Sequence, residues 1–206
     1  MDAQLQRLAA AGELIAYFGY GSLVNRATHR TQIVHAVPAR LAGWRRMWRM
    51  RPDLQGLDHA LLTVQRDEDA AVDGLLVFDR AAHLPALDDR EAGYDRRIAD
   101  LGRLTAGAPV PAGVTVYVYE AGPPAAGHDG VARPILQSYL DAVLQGFHRE
   151  HGNEGVERFV HETEAFDIPV LRDRHQPRYP RHVRLEDDQR DYFDRLLARR
   201  GVRYHD

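Results

Sequence analysis

Two short segments of this sequence carry residue types able to do chemistry. The first is Tyr17-Phe18-Gly19-Tyr20-Gly21-Ser22-Leu23. Glycines directly after an apolar run let the backbone turn tightly and aim successive N–H groups into one concavity, which suits a carboxylate or a phosphate. Ser22 adds a hydroxyl donor. The segment is not a nucleophile elbow, because Tyr20 and Val24 stand where G-x-S-x-G requires glycine. The second is Leu87-Asp88-Asp89-Arg90-Glu91-Ala92-Gly93-Tyr94. A Glu whose pKa is raised by a partly apolar pocket is a competent proton shuttle near neutral pH. Taken singly, the first segment is most simply a strand-ending turn and the second a solvated acidic helix face closed by glycine.

A third group is histidine. His148 and His151 face the same side of a helix and His161 follows, but the spacing is not H-E-x-x-H and no full ligand set is present, so no metal is expected. The absences narrow the chemistry further. The 206 residues contain no cysteine and no lysine, so all 27 basic residues are arginines, and only Ser22 and Ser138 are serines. Thiol nucleophiles, disulfides, iron–sulfur clusters, Walker-type phosphate loops and Schiff bases are thereby excluded. What remains is carboxylate, imidazole, hydroxyl and backbone.

The elements that must position these residues read as follows. Residues 1–12 form a short, frayed helix, and 14–18 a buried strand that breaks at the glycine turn. Residues 37–50, with Trp44 and Trp48, form one long strand or a bent pair. Residues 59–66 and 72–79 are two strands joined through a hairpin loop at Asp67-Glu68-Asp69. Residues 81–92 make a short helix ended by Gly93, and 96–101 and 114–120 are strands. The Pro/Gly stretch 121–130 is the strongest boundary signal. Beyond it, Pro134 opens an amphipathic helix carrying Ile135, Leu136, Tyr139, Leu140, Val143, Leu144 and Phe147, and helices follow at 156–161 and 188–199. The chain is mostly β to about residue 120 and mostly α after, one α+β domain over 1–206.

In this order, the glycine turn and Arg90-Glu91-Ala92-Gly93-Tyr94 resemble the γ-glutamylcyclotransferase-like family, particularly its glutathione-degrading ChaC branch. Tyr139-Leu140 and Leu144-Gln145-Gly146 on the late helix extend the likeness. The resemblance implies a small mixed β-barrel surrounded by helices. It also implies a cofactor-free reaction in which a substrate's α-amine attacks its own γ-glutamyl carbonyl, giving 5-oxoproline and a released amine. That route needs no enzymatic nucleophile, in keeping with the missing Cys and Lys. The family's Tyr-Gly-Ser turn maps onto Tyr17, Phe18, Gly19, Tyr20, Gly21, Ser22 and Leu23, which would hold the glutamyl moiety. Its Glu maps onto Glu91, which would move the proton from the α-ammonium to the leaving nitrogen. Tyr94 and Tyr139 are candidates for lining the pocket. Two departures leave the substrate open: Val24-Asn25-Arg26 replace an aromatic and a nearby proline, and Ala92 with a single Gly93 replaces two adjacent glycines.

The arginine-rich stretch 172–184 either covers the pocket and binds an anionic leaving half or is a solvated loop tying the last helix to the barrel. Other readings are a non-catalytic carboxylate binder on the same fold, γ-glutamyl removal from a biosynthetic intermediate, and a His-based metal hydrolase. Nucleic-acid binding through Gly43-Trp44-Arg45-Arg46-Met47-Trp48-Arg49-Met50-Arg51 is set aside in favour of a barrel strand with both tryptophans in the core, and the net charge of −3 agrees. No apolar run is long enough to span a bilayer and no leader pattern precedes residue 14, so a cytoplasmic location, without membrane contact, is expected.

Overall fold

The computed structural model describes residues 3–51, 53, 56–123 and 133–205. In chain order its elements are α1 (Ala3–Ala10), β1 (Leu14–Gly19), β2 (His35–Arg49), β3 (Leu61–Arg80), α2 (Leu84–Arg90), β4 (Asp95–Ile98), β5 (Leu104–Ala106), β6 (Val116–Glu120), β7 (Ile135–Leu136), α3 (Gln137–Glu162), β8 (Val170–Leu171), α4 (Asp187–Arg199) and β9 (Tyr204–His205). Short 3-10 turns cover Ser22–Val24 and Arg26–Thr28.

The organising element is β1, whose six residues are all buried. An apolar run with no polar alternation belongs in a strand covered on both faces. β1 pairs antiparallel with β3 and parallel with β6, inside a six-stranded mixed sheet of order β4-β6-β1-β3-β2-β5. Its side chains alternate between two cores. Tyr17 faces one built with Leu140, Leu144 and Phe147 of α3. Phe18 faces another built with Leu5 and Leu8 of α1, Trp44 and Val116. The fold is thus α+β, as expected. The closure into a barrel implied by the family resemblance is not among the described strand pairings, in which β4 and β5 are the sheet's two ends.

Several local expectations differ from what is observed. Residues 67–70 do not form a hairpin loop. β3 runs from Leu61 to Arg80, and both of its halves pair with β2, with the register shifting around Gly43. The acidic stretch Asp67-Glu68-Asp69 has none of the glycine or asparagine chemistry of a tight hairpin, and the length of β2 lets it serve both halves. Ile135 and Leu136 extend as β7 rather than opening the helix, because they pair in parallel with Val170 and Leu171 of β8. The first turns of α3 are buried all round instead of amphipathic. Gly152, at φ 65°, breaks that helix where two helices were expected. Strand β4 ends at Ile98, and Leu101 begins a 3-10 turn. Most of the Pro/Gly stretch 121–130 lies outside the described residues. Trp44 and Trp48 are 1% and 2% exposed, so neither offers a ring face to a base.

Candidate functional site

The turn after β1 is fastened on its outer side. Asn25 Nδ2 donates to the Ala142 carbonyl at 2.9 Å and to Gln145 Oε1 at 3.1 Å, both on α3. The close approach needs Gly146, where a Cβ would stand 2.6 Å from the Asn25 nitrogen. Inside the turn, Thr28 Oγ1 donates to the Ser22 and Asn25 carbonyls, and the N–H groups of Val24 and Asn25 are bonded to Gly21 and Ser22. The N–H groups of Gly21, Ser22 and Leu23 have no acceptor among the described residues. Three adjacent unspent donors are what an anion-accepting concavity requires.

Glu91 arrives from the other side. Pro85 occupies the first turn of α2, where its missing N–H is harmless. Glu91 caps the C-terminus, and its carbonyl accepts from Tyr94 N–H at 2.9 Å. Gly93, at φ 92°, completes the reversal. This brings Glu91 and Tyr94 against the turn. One cavity is lined by Phe18, Tyr20, Gly21, Ser22 and Leu23 on one side and by Glu91, Tyr94 and Tyr139 on the other, with Leu62 and Tyr119 completing it. It is narrow, with about 20 Å³ open to the centre of a water molecule, enough for about one water.

Of the residues anticipated from sequence, Tyr17 and Gly19 do not line this cavity. Gly19 is needed for close packing, since a Cβ there would sit 2.6 Å from Leu23 Cβ. Tyr17 packs with Leu140, Leu144 and Phe147, and its hydroxyl meets His29 Nδ1 at 3.1 Å. His29 Nε2 lies 2.9 Å from the Leu23 carbonyl. A carbonyl only accepts, so Nε2 carries the proton and Nδ1 accepts from Tyr17. Burial pulls the His29 pKa down to about 4, leaving the ring neutral beneath the turn.

The electrostatics centre on Glu91. Burial pushes its carboxyl above the ordinary range, and the positive charges of Arg90, Arg181 and Arg30 pull it back. Its place at a helix C-terminus also disfavours the anion. Arg90 links the two halves of the site: Nε donates to Glu91 Oε1 at 3.0 Å, and Nη2 donates to Ser22 Oγ at 3.3 Å and Thr28 Oγ1 at 3.2 Å. Tyr94 OH is committed to the Leu62 carbonyl at 3.0 Å, and Tyr20 OH to the Tyr119 carbonyl. Tyr139 OH has no hydrogen-bond partner among the described residues and would stand 3.6 Å from a Cβ on Gly21. Burial holds its pKa well above the usual phenol value, so it is a neutral donor.

Arg90 and Tyr119 were not anticipated as site residues. The adjacency of Arg90 to Glu91 was a visible signal, whereas Tyr119 looked like one more position in the alternating strand expected over 114–120.

The arginine-rich stretch is fastened to α3 and reaches the ring of Tyr139, a residue of the cavity wall. Asp173 accepts from Ser138 N–H at 2.7 Å, from Ser138 Oγ and from Arg178 N–H at 2.9 Å, which staples the stretch to the start of α3. It also lays Tyr179 on Tyr139, ring centroids 4.6 Å apart, with the Arg181 guanidinium over Tyr179 at 5.1 Å.

The histidines go separate ways. His151 Nε2 lies 2.8 Å from the Gly74 carbonyl and His148 Nδ1 lies 3.3 Å from Gln189 Nε2. No group of three potential metal ligands converges among the described residues, and none of the described helices is long and apolar enough to cross a membrane.

The fold has solved relatives. A structure named gamma-glutamyl cyclotransferase superposes with a TM-score of 0.55 at 15% identity, covering 89% of this chain and 99% of its own. An uncharacterized Homo sapiens protein, loc79017, gives 0.51 at 16% identity over 88% of this chain and 99% of its own. YkqA from Bacillus subtilis gives 0.53 at 18% identity over 75% of this chain and 56% of its own. At such identities the likeness is one of fold. No curated protein matches the sequence significantly. The family model described as "Gamma-glutamyl cyclotransferase, AIG2-like" matches residues 17–136, more than half the chain and a span holding both the glycine turn and Glu91. It does not single out the ChaC branch. This chain belongs to the gamma-glutamyl cyclotransferase, AIG2-like family.

Proposed function

We propose that the protein cyclises the γ-glutamyl group of a small peptide or amine to 5-oxoproline and releases the amine, with Glu91 as the proton shuttle. The observation that carries this reading is that Glu91 and the turn Tyr20-Gly21-Ser22, far apart in sequence, line one cavity.

The α-ammonium of the substrate loses its proton to the Glu91 carboxylate, because only the free amine is nucleophilic. Its nitrogen attacks the γ-carbonyl carbon, closing a five-membered ring and placing negative charge on the carbonyl oxygen. As the C–N amide bond breaks, the ring nitrogen sheds a second proton, Glu91 relays the two protons in turn to the leaving nitrogen, and the amine departs as its ammonium, so no net proton is gained or lost. The N–H groups of Gly21, Ser22 and Leu23, unspent among the described residues, suit the α-carboxylate and the developing oxyanion, and the Tyr139 hydroxyl, which bonds to no described residue, is a further donor. Clamping the α-carboxylate supplies the orientation that ring closure needs. A γ-glutamyl chain exceeds the open space of the cavity, so side chains at its rim must move aside to admit it.

The test is 5-oxoproline release from glutathione, γ-glutamyl-alanine and γ-glutamyl-ε-lysine. Release from any of them supports the reading, and the preferred compound defines the amine half. Tight binding of a γ-glutamyl compound with no product would instead favour a carboxylate-binding protein on the same fold.

A further inference from the structure

Arg46 lies outside the cavity, yet no described charged residue is more fully buried, at 1% exposure. It comes from β2, on the same strand face as Trp44 and Trp48. Its guanidinium lies over the rings of Phe159 at 4.3 Å and Phe147 at 4.9 Å. Nε donates to Thr163 Oγ1 at 2.9 Å. Nη1 donates to two backbone carbonyls, Asp73 at 3.0 Å and Tyr20 at 3.3 Å. Nη2 is buried with no hydrogen-bond partner among the described residues. A cation sunk among aromatic rings, with one donor unspent, is an expensive way to fill a core. Burial pulls its pKa down to about 9, so it remains charged at neutral pH.

The carbonyl of Tyr20 accounts for that expense. The Tyr20–Gly21 peptide is trans, and a trans peptide points its C=O and N–H in opposite directions. Arg46 therefore holds the carbonyl toward the core and turns the Gly21 N–H away from it. Gly21 lines the cavity, and its N–H has no acceptor among the described residues. A positive charge behind the carbonyl also draws electron density from that N–H and makes it a better donor.

We infer that Arg46 is a positioning residue, which fixes and polarises the Tyr20–Gly21 peptide so that Gly21 N–H is presented to the substrate's carboxylate or to the oxyanion. This rests on the functional reading above.

The test pairs NMR of the Gly21 amide with steady-state kinetics. Because Arg46→Met risks the fold, the working variant is Thr163→Val, which removes the bond that aims Arg46 while leaving its charge and the cavity intact. Thr163→Ser keeps that bond. In Thr163→Val and in Arg46→Lys the Gly21 amide proton is expected to move upfield, and kcat/KM for a γ-glutamyl compound to fall about tenfold, a fraction of the loss on deleting a whole oxyanion donor. Thr163→Ser should behave as wild type. A loss carried by a higher KM alone assigns the N–H to the carboxylate, and one carried by a lower kcat assigns it to the oxyanion. Folded Thr163→Val and Arg46→Lys proteins with an unshifted Gly21 amide, or with a shifted amide and unchanged kcat/KM, would overturn the inference. If the wild-type protein releases no 5-oxoproline, the functional reading fails, and the Gly21 shift alone decides whether Arg46 polarises that peptide.

Discussion

Glu91 is held by its own chain neighbour: Arg90 Nε donates to Glu91 Oε1 across 3.0 Å, while the same guanidinium reaches Ser22 Oγ. Burial raises the pKa of Glu91, and Arg90 is the largest force opposing that rise. Removing the positive charge favours the protonated carboxyl. Arg90→Gln should therefore shift the acid limb of the kcat/KM profile to higher pH, by about one unit, the low end of what a neighbouring opposite charge does. An acid limb that stays in place would show that Glu91 does not set it.

The same burial makes a prediction about stability. A carboxyl whose pKa rises on folding contributes stability below its unfolded value, near 4.5, and loses it as pH climbs through the raised folded value. At pH 7.5 the wild-type protein bears the destabilisation that goes with this raised pKa, which Glu91→Gln lacks. The variant should melt at a higher temperature there, and the gap should close as the pH approaches 4. Melting curves at the two pH values check this. A variant that melts lower at pH 7.5 would mean the Arg90 ion pair outweighs desolvation.

Tyr139 offers a cleaner separation of chemistry from folding. Its ring meets Trp48 edge-on at 5.5 Å and stacks on Tyr179, contacts that phenylalanine keeps, whereas its hydroxyl bonds to no described residue. Tyr139→Phe should leave the melting temperature unchanged and reduce kcat by about ten- to a hundredfold, as expected for loss of one aimed donor. Unchanged turnover would make Tyr139 a wall rather than a donor.

Gly146 tests how the turn is held. Alanine is a better helix former than glycine by about 1 kcal/mol, so an exposed Gly146→Ala would stabilise α3. Here the new Cβ would stand 2.6 Å from the Asn25 nitrogen and 2.8 Å from its Cβ, a clash with backbone that overpacking estimates put at about 1–3 kcal/mol. The clash should win. The variant should melt lower and lose activity, with Asn25 pushed off Ala142 and Gln145. A raised melting temperature would contradict the close docking of α3 on the turn.

The parts of this molecule legible in the sequence are those fixed by near neighbours. The apolar run into Gly19-Tyr20-Gly21 announces a buried strand and its turn, and Glu91 before Gly93 announces a helix end. That the two face one another is required by the chemistry the resemblance implies but is not visible in the sequence, because spacing alone does not bring residues together. Long-range capture is what the sequence conceals. Ser138, Asp141 and Gln145 look like the wet face of an amphipathic helix, but Asp173, Arg174 and the Arg184 carbonyl cover and bond them. Arg46 looked like one of several strand arginines and is instead a buried support. The acidic stretch Asp67-Glu68-Asp69 looked like a turn because it is polar, yet both of its flanks pair with one long partner strand.

The most direct test of the proposed chemistry is 5-oxoproline release by wild-type protein and by folded Glu91→Gln on the preferred member of the γ-glutamyl panel. Glutamine keeps the shape and can accept a hydrogen bond but cannot shuttle a proton. The expected result is robust release by wild type and a fall in kcat of about 10²–10⁴-fold in the variant, the range for a lost general acid–base, with substrate affinity largely kept. A folded Glu91→Gln protein that turns over at the wild-type rate would contradict the assignment of Glu91 as the proton shuttle.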